Sequence, residues 1–351
     1  MLRTRTLKVR ACASGRASNM NHLRSVLDGI AENNFVVVGR VGIDFTPPPG
    51  VAIENAETCM VAMGGSSANI AAGICKFGGR ASLVTCVSDD AIGRYCVNQL
   101  KAYGVGSEHV RAVAGEFRNS LAVYESRLQD HHSVIYRNGA ADFEMSMDDV
   151  EAVEYTRYGA LITAGTVFAA EPSRSAAFRA FELAKEAGIP IIFDVDYRPY
   201  SWPSPQVAEE VLSKAGGMSD VIVANDEEFG FMAGGIEKGE AKARELASNS
   251  AAIVVYKMGH EGAITFADGE EILEALARIE KAPACLGRDR LDAALERVSR
   301  KSALALVWTG YEEGLGDWLR QLPLRYRSVS LYLPAAWAGV ALPEGITGWS
   351  F

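Results

Sequence analysis

A chain of 351 residues, 48% hydrophobic and 23% charged, is long enough for one large α/β domain with a small appendage, and its composition argues against wholesale disorder. The formal net charge of −9 speaks against a general nucleic-acid or anionic-membrane binder, which needs a positive field to gather phosphates. No stretch reaches the roughly 18 apolar residues of a membrane span. Six scattered cysteines without a Cys-x-x-Cys pair read as buried thiols in a reducing cytoplasm rather than as a zinc site.

The first sixteen residues carry Arg3, Arg5, Lys8, Arg10 and Arg16 and no acid. They read as an organelle transit peptide or as a leader ahead of Met20, and the lack of an apolar or amphipathic segment favours the leader. Residues 1–33 are thus expected to form a partly disordered extension. From Phe35 short β-rich runs alternate with helical stretches. FVVVG (35–39) reads as a strand buried on both faces, and small and apolar residues over 66–77 recur at helical spacing, with Ser66 or Ser67 as cap. A strand follows over 81–87 and a helix over 90–105 that Gly104 stops.

Residues 120–137 alternate apolar and polar around a turn at 129–131 and predict an antiparallel hairpin outside the main sheet. Strand and helix then alternate: strands over 160–165, 189–196, 220–225 and 252–259, helices over 173–187, 205–216 and 238–248. Such alternation implies a mostly parallel sheet with right-handed crossovers. Beyond Glu271 the character changes, with two acid-rich helical stretches (271–282, 288–300) and a Leu/Trp-rich tail that holds four of the five tryptophans and few strand-like runs.

Open α/β sheets bind ligands at the carboxyl ends of their strands. The first strand delivers Asp44 in Gly39-Arg-Val-Gly-Ile-Asp44, placed either to accept from ligand hydroxyls or to form a turn. This is not Gly-x-Gly-x-x-Gly, so the dinucleotide fingerprint is absent. Gly64-Gly65 permits close backbone approach, and Asn69 offers a donor and an acceptor to a sugar. Asp194, Asp196 and Arg198 leave an apolar strand together, and the arginine fork suits a carboxylate or phosphate. Asn225-Asp-Glu-Glu228 ends the next strand, where the acids either hold Mg²⁺ through water or mark a helix N-terminus. Lys257-Met-Gly259-His-Glu-Gly262 is a glycine turn able to approach a nucleotide, and no P-loop motif is present.

In this order the motifs resemble the ribokinase-like (PfkB-type) carbohydrate kinases. GGSSANIAAGICKFGG looks like the N-terminal signature of that family, VSDDAIGRYCVNQLKAYGV like the segment after it, NDEE like its Asn-x-x-Glu motif and KMGHEGA like its later glycine turn. The resemblance covers about residues 34–271 and implies a three-layer α/β sandwich with a mostly parallel central sheet and a small β lid around 120–137. RNSLAVYESRLQDHHSVIYRNGAADF, FDVDYRPYSWPS and ANDEEFGFMAG are most similar to the branch acting on keto-deoxy sugar acids. That implies a cytoplasmic kinase that phosphorylates the terminal hydroxyl of 5-dehydro-2-deoxy-D-gluconate with Mg-ATP in inositol breakdown. Ribokinase and 2-keto-3-deoxygluconate kinase are the alternatives. Asp44, Gly65, Asn69, Arg137 and Arg198 would hold the sugar acid, Asn225, Glu228, Lys257, Gly259 and Gly262 the nucleotide, with Glu228 reaching Mg²⁺ through water. Pairing of two copies through the lid is a further expectation. Residues 272–351 depart from the family pattern: its Gly-Ala-Gly-Asp motif, which supplies the base and an anion hole, is missing. Gly314-Leu-Gly-Asp317 is the only Gly-x-Gly-Asp, which makes Asp317 the candidate base, and weak catalysis or sugar binding alone is the expectation for this chain.

Overall fold

The structure, a computed structural model, describes residues 17–125, 132–259, 262–267, 303–307, 328–333 and 346–350. The chain divides into one unit of residues 14–256 and another that starts at Lys257.

In the first unit, α1 (Ala17–Ala31) leads into β1 (Asn34–Val38), β2 (Gly42–Thr46) and β3 (Met60–Gly64). There follow α2 (Ser66–Lys76), β4 (Arg80–Ser88), α3 (Ala91–Ala102), β5 (Val110–Val113), β6 (Leu121–Glu125), β7 (His132–Tyr136) and α4 (Met147–Glu151). After these, β8 (Ala160–Ala164), α5 (Ser173–Glu186), β9 (Ile191–Asp194), α6 (Pro205–Met218), β10 (Val221–Asn225), α7 (Asp226–Met232), α8 (Gly239–Asn249) and β11 (Ile253–Lys257) complete the alternation.

The main sheet of this unit runs β11-β10-β9-β8-β1-β4-β5, and the ladders from β10 through β5 are parallel. Parallel strands need helical crossovers, so both faces are covered and the central strands stay apolar throughout. Every residue of β8 is buried, as is β1 after its first residue. On one face Phe35, Val37 and Leu83 pack against Ala68, Ala71 and Ala72 of α2, whose small side chains let the helix lie close. On the other, Phe193 of β9 meets Phe168 edge-on at 5.9 Å, and Phe168 meets Phe181 of α5. Each such ring or branched chain removed from water contributes about 1.5–3 kcal/mol. Helices on both faces of a mostly parallel sheet make the three-layer sandwich expected from the sequence.

A second sheet, β3-β2-β6-β7, stands outside the first. Its β6–β7 ladder is the antiparallel hairpin expected over 120–137, and the 129–131 turn lies outside the described residues. β2 and β3 were not expected: GIDFT and MVAMG are short and bracket a Pro-rich loop, yet they pair antiparallel, and β2 joins β6 in parallel. Within the amino-terminal extension residues 17–31 form a helix, with Leu23 and Val26 buried, and the basic residues ahead of it lie outside the described residues. The helix backbone at Gly29 crosses Gly159 so closely that a Cβ would sit 2.5 Å from the Gly159 carbonyl oxygen. His22 Nε2 lies 2.7 Å from Asp220 Oδ1.

In the second unit, Met258 N donates to Gly262 O at 2.7 Å, which closes a turn ahead of β12 (Ala263–Ala267). The tail carries more strand than its sequence suggested, since β13 (Ala303–Val307), β14 (Ser328–Leu333) and β15 (Ile346–Ser350) form a parallel sheet of their own. The helical stretches expected over 271–282 and 288–300 lie outside the described residues. Among the described residues no helix is long and apolar enough to cross a membrane.

Candidate functional site

At the carboxyl end of β1 the chain turns through Gly39 and Arg40 into β2. The start of α2 packs against this turn: Ala68 N donates to Arg40 O at 3.2 Å, and a Cβ on Gly65 would lie 2.7 Å from the same oxygen. Gly65 also has φ +97°, so the close approach expected of it is made to the protein's own backbone. Its neighbour Gly64 abuts Asp44, whose Oδ1 would overlap any Cβ placed there. Neither Ser66 nor Ser67 caps α2 by its side chain, and Gly65 holds the cap position. Asn69 lies one turn further on with its side chain exposed, and none of its hydrogen bonds reaches the charged groups described next.

Those groups come from strand ends far apart in sequence. Burial pushes the Asp44 carboxyl above its usual range, partly offset by the Arg40 charge. Arg40, Asp44, Asp196 and Arg198 all act on the Tyr124 hydroxyl, which burial raises. Asp196 is only 6% exposed and adopts φ +35°, a strained backbone for a residue with a side chain. Its Oδ1 meets Arg198 Nη2 at 2.8 Å, and its buried Oδ2 has no hydrogen-bond partner. The Arg198 side chain is 48% exposed.

Arg137 is placed differently from what its expected role requires. Its side chain is buried, Nη2 donates to Asp142 Oδ2, Nη1 donates to Thr166 O at 2.9 Å, and the guanidinium lies 4.0 Å over the Phe143 ring. Both ends of the fork are thus committed within the protein.

A cavity of about 610 Å³ opens at the ends of β9 and β10 beneath the second sheet. Tyr124 and Ile135 come from that sheet, Tyr197, Arg198 and Tyr200 from the end of β9, and Asn225, Glu228 and Phe231 from the end of β10. Tyr197 stacks on Phe231 with centroids 4.0 Å apart, which fixes that wall. At its base Asn225 caps α7: its side-chain oxygen accepts from Glu228 N at 2.7 Å, and Glu228 Oε2 accepts from Asn225 N at 2.8 Å. Glu228 Oε1 accepts from Tyr197 N at 3.1 Å and ties the two strand ends together. The helix-start alternative for these acids is therefore what the geometry shows. Each Glu228 oxygen keeps a free lone pair, so its hard carboxylate fits a hydrated Mg²⁺, although among the described residues no group of three metal-ligating side chains forms.

Lys257, Gly259 and Gly262 belong to the second unit, and Asp317 lies outside the described residues. Sequence reasoning singled out neither Arg40 nor Tyr124. Arg40 stood inside a quoted motif, and only the long-range fold reveals its burial.

Residues 32–282 match the profile of the pfkB family carbohydrate kinases. The 5-dehydro-2-deoxygluconokinase of Clostridium perfringens is 36% identical over 243 residues, 66% of this chain and 70% of that protein. That of Photobacterium profundum is 31% identical over 251 residues, 70% of this chain and 76% of the relative. Among solved structures, a PfkB protein from Polaromonas sp. superposes with TM-score 0.62 at 24% identity, covering 68% of this chain and 80% of its own. A fructokinase from Vibrio cholerae, in its fructose-, ADP- and calcium-bound form, gives TM-score 0.58 at 24% identity, with 67% and 74% covered. These structures share the fold, while the family follows from the sequence match over most of the chain: it belongs to the pfkB carbohydrate kinases, which are ATP-dependent sugar kinases.

Proposed function

We propose that the chain transfers the γ-phosphoryl group of ATP to the terminal hydroxyl of a keto-deoxy sugar acid, 5-dehydro-2-deoxy-D-gluconate, as a step of inositol catabolism. The carrying observation is the cavity that sets Tyr197 and Arg198 at the end of β9 beside Asn225 and Glu228 at the end of β10. The names of the relatives, at 31–36% identity, support the substrate.

In this reading Asp44, Gly65, Asn69 and Arg198 bind the sugar, and Arg137 shapes the wall from behind. Asn225 and Glu228 serve the nucleotide side, as do Lys257, Gly259 and Gly262 of the glycine turn. Mg²⁺, held through water by Glu228, would neutralise charge on the phosphate oxygens. The second sheet acts as a lid that excludes water from the transfer. Asp317 is the candidate base for the hydroxyl proton. Positioning and electrostatics carry most of such a reaction, so the missing Gly-Ala-Gly-Asp motif favours slow turnover with binding retained.

Two copies are proposed to pair through the outer face of the lid. Register places Val61, Phe45, Val123 and Val134 on that face, with Leu121 and Tyr136, opposite the face that carries Asp44 and Ile135. Val61, Val134 and Tyr136 are 42%, 51% and 62% exposed, an apolar surface suited to a second copy. Sedimentation of wild type against Val134→Glu tests it, with a monomeric wild type as the refuting result.

The function is tested by ATP-dependent phosphorylation of 5-dehydro-2-deoxygluconate beside ribose, 2-keto-3-deoxygluconate and an Asp317→Asn chain. Slow turnover selective for the first substrate is expected. Brisk turnover abolished by Asp317→Asn would establish that aspartate as the base, and preference for ribose would overturn the acid substrate.

A further inference from the structure

Three arginines and three aspartates meet around the ends of β1, β2 and β9, and they do not pair off evenly. Arg137 is closed on Asp142, and Arg198 on Asp196. Arg40 and Asp44 remain, and among the described residues neither has an ion-pair partner within 4.0 Å. Arg40 is 9% exposed, its Nε has no hydrogen-bond partner, and its Nη1 reaches Ser120 Oγ only at a long 3.4 Å. A guanidinium taken out of water without a counter-charge is costly, and so is a buried donor left without an acceptor. Asp44 feels the Arg40 charge, but no oxygen of its carboxylate comes within 4.0 Å of the guanidinium, so it does not close on Arg40 as Asp142 closes on Arg137.

Arg40 does not itself line the cavity, but it is electrostatically coupled to residues that do. Its charge acts on the hydroxyls of Tyr124 and Tyr200, and both tyrosines line the cavity. Asp196, whose charge acts on the same two tyrosine hydroxyls, presents a buried Oδ2 without a donor, on a backbone strained to φ +35°. A desolvated cation together with a desolvated acceptor complements an anion that carries hydroxyl groups. Arg137 cannot supply that cation, because its fork is spent on Asp142 and Thr166. Arg198 is half open to water, where its attraction is screened.

We propose that Arg40 receives the carboxylate of the sugar acid and sets the preference for an acid over a neutral sugar, while Asp196 Oδ2 accepts from a hydroxyl of the same molecule. The inference rests on the acid-substrate reading above. The guanidinium fork fits a carboxylate in a two-point contact that a lysine ammonium cannot reproduce.

The test is calorimetric binding of 5-dehydro-2-deoxygluconate and its neutral primary amide to the full chain, for wild type, Arg40→Gln and Arg40→Lys. Wild type should prefer the acid, and Arg40→Gln should weaken acid binding about a hundredfold while changing amide binding less than about threefold. Arg40→Lys should fall between, since it keeps charge without the fork. Thermal unfolding without ligand should show Arg40→Gln as stable as wild type or more so, because an uncompensated charge has been removed. Equal losses for acid and amide, or a lowered unfolding temperature with acid binding intact, would overturn the assignment. Should wild type prefer 2-keto-3-deoxygluconate and Arg40→Gln abolish that preference, the assignment stands and the named substrate falls. A wild type that binds ribose better than either acid overturns both.

Discussion

β9 and β10 are neighbours in one sheet and end in similar chemistry, acids directly after an apolar run. Their ends nevertheless behave in opposite ways. After β10, Asn225 and Glu228 close on each other and on Tyr197 N, so both side chains have a structural partner. After β9, Asp196 sits in a strained conformation with one oxygen unmatched, and Arg40, in the turn after β1, has no ion-pair partner within 4.0 Å among the described residues. A strand end whose polar groups satisfy one another can be explained by folding alone. One that keeps them open at a cost to stability requires something from outside the chain.

The largest effect should come from breaking a closed pair. Arg137→Ala leaves Asp142 buried without its partner and should cost about 3–5 kcal/mol in denaturant unfolding. A loss below about 1 kcal/mol would return Arg137 to the ligand side of the comparison. Next, Glu228→Ala strips an acceptor from Tyr197 N and Asn225 N and should destabilise by about 2–3 kcal/mol. Unchanged stability with lost ATP binding would instead make Glu228 primarily a nucleotide residue. On the open side, Arg198→Ala should weaken sugar-acid binding about tenfold, with stability within about 0.5 kcal/mol and ATP binding intact. Equal losses for both ligands would sink its place at the sugar.

The smallest effect is a pH dependence at Asp44. Its folded carboxyl titrates above the ordinary 3.8, so the folded state binds that proton more tightly than the unfolded one. Stability therefore falls as pH rises from 3.8 through the folded value, and it stays lower above. Asp44→Asn should match wild type below that window and exceed its stability above it. Parallel stability profiles of the two proteins would show that Asp44 is not desolvated.

The sequence made the main sheet legible because buried parallel strands are continuous apolar runs, as in FVVV and ALITA. The β6–β7 hairpin was legible through its alternation. β2 and β3 were not, because five residues that include a glycine, and in β2 an aspartate as well, carry no clear period. α7 was read only as an alternative, since its first turn is all acid and it spans just seven residues. The site was half legible. Motif order brought the strand-end acids forward, but the state of each group depends on distant partners, such as Ser120, 80 residues from Arg40. Nothing local distinguishes Arg137, whose charges are met, from Arg40, whose charge is not.

The position of β1 bears on how the chain is assembled during synthesis. It is made before the other described strands of its sheet, yet it lies inside the sheet between β4 and β8. Thr163 Oγ1 of β8, which donates to Val38 O at 2.6 Å, is added 125 residues later. At about 5–20 residues per second, β1 waits roughly 6–25 s with one apolar edge uncovered. A nascent chain of this length has time to meet a holdase or another ribosome's product before its own β8 arrives. Yield on expression should therefore respond to translation rate and chaperone supply more than to the stability of the finished fold.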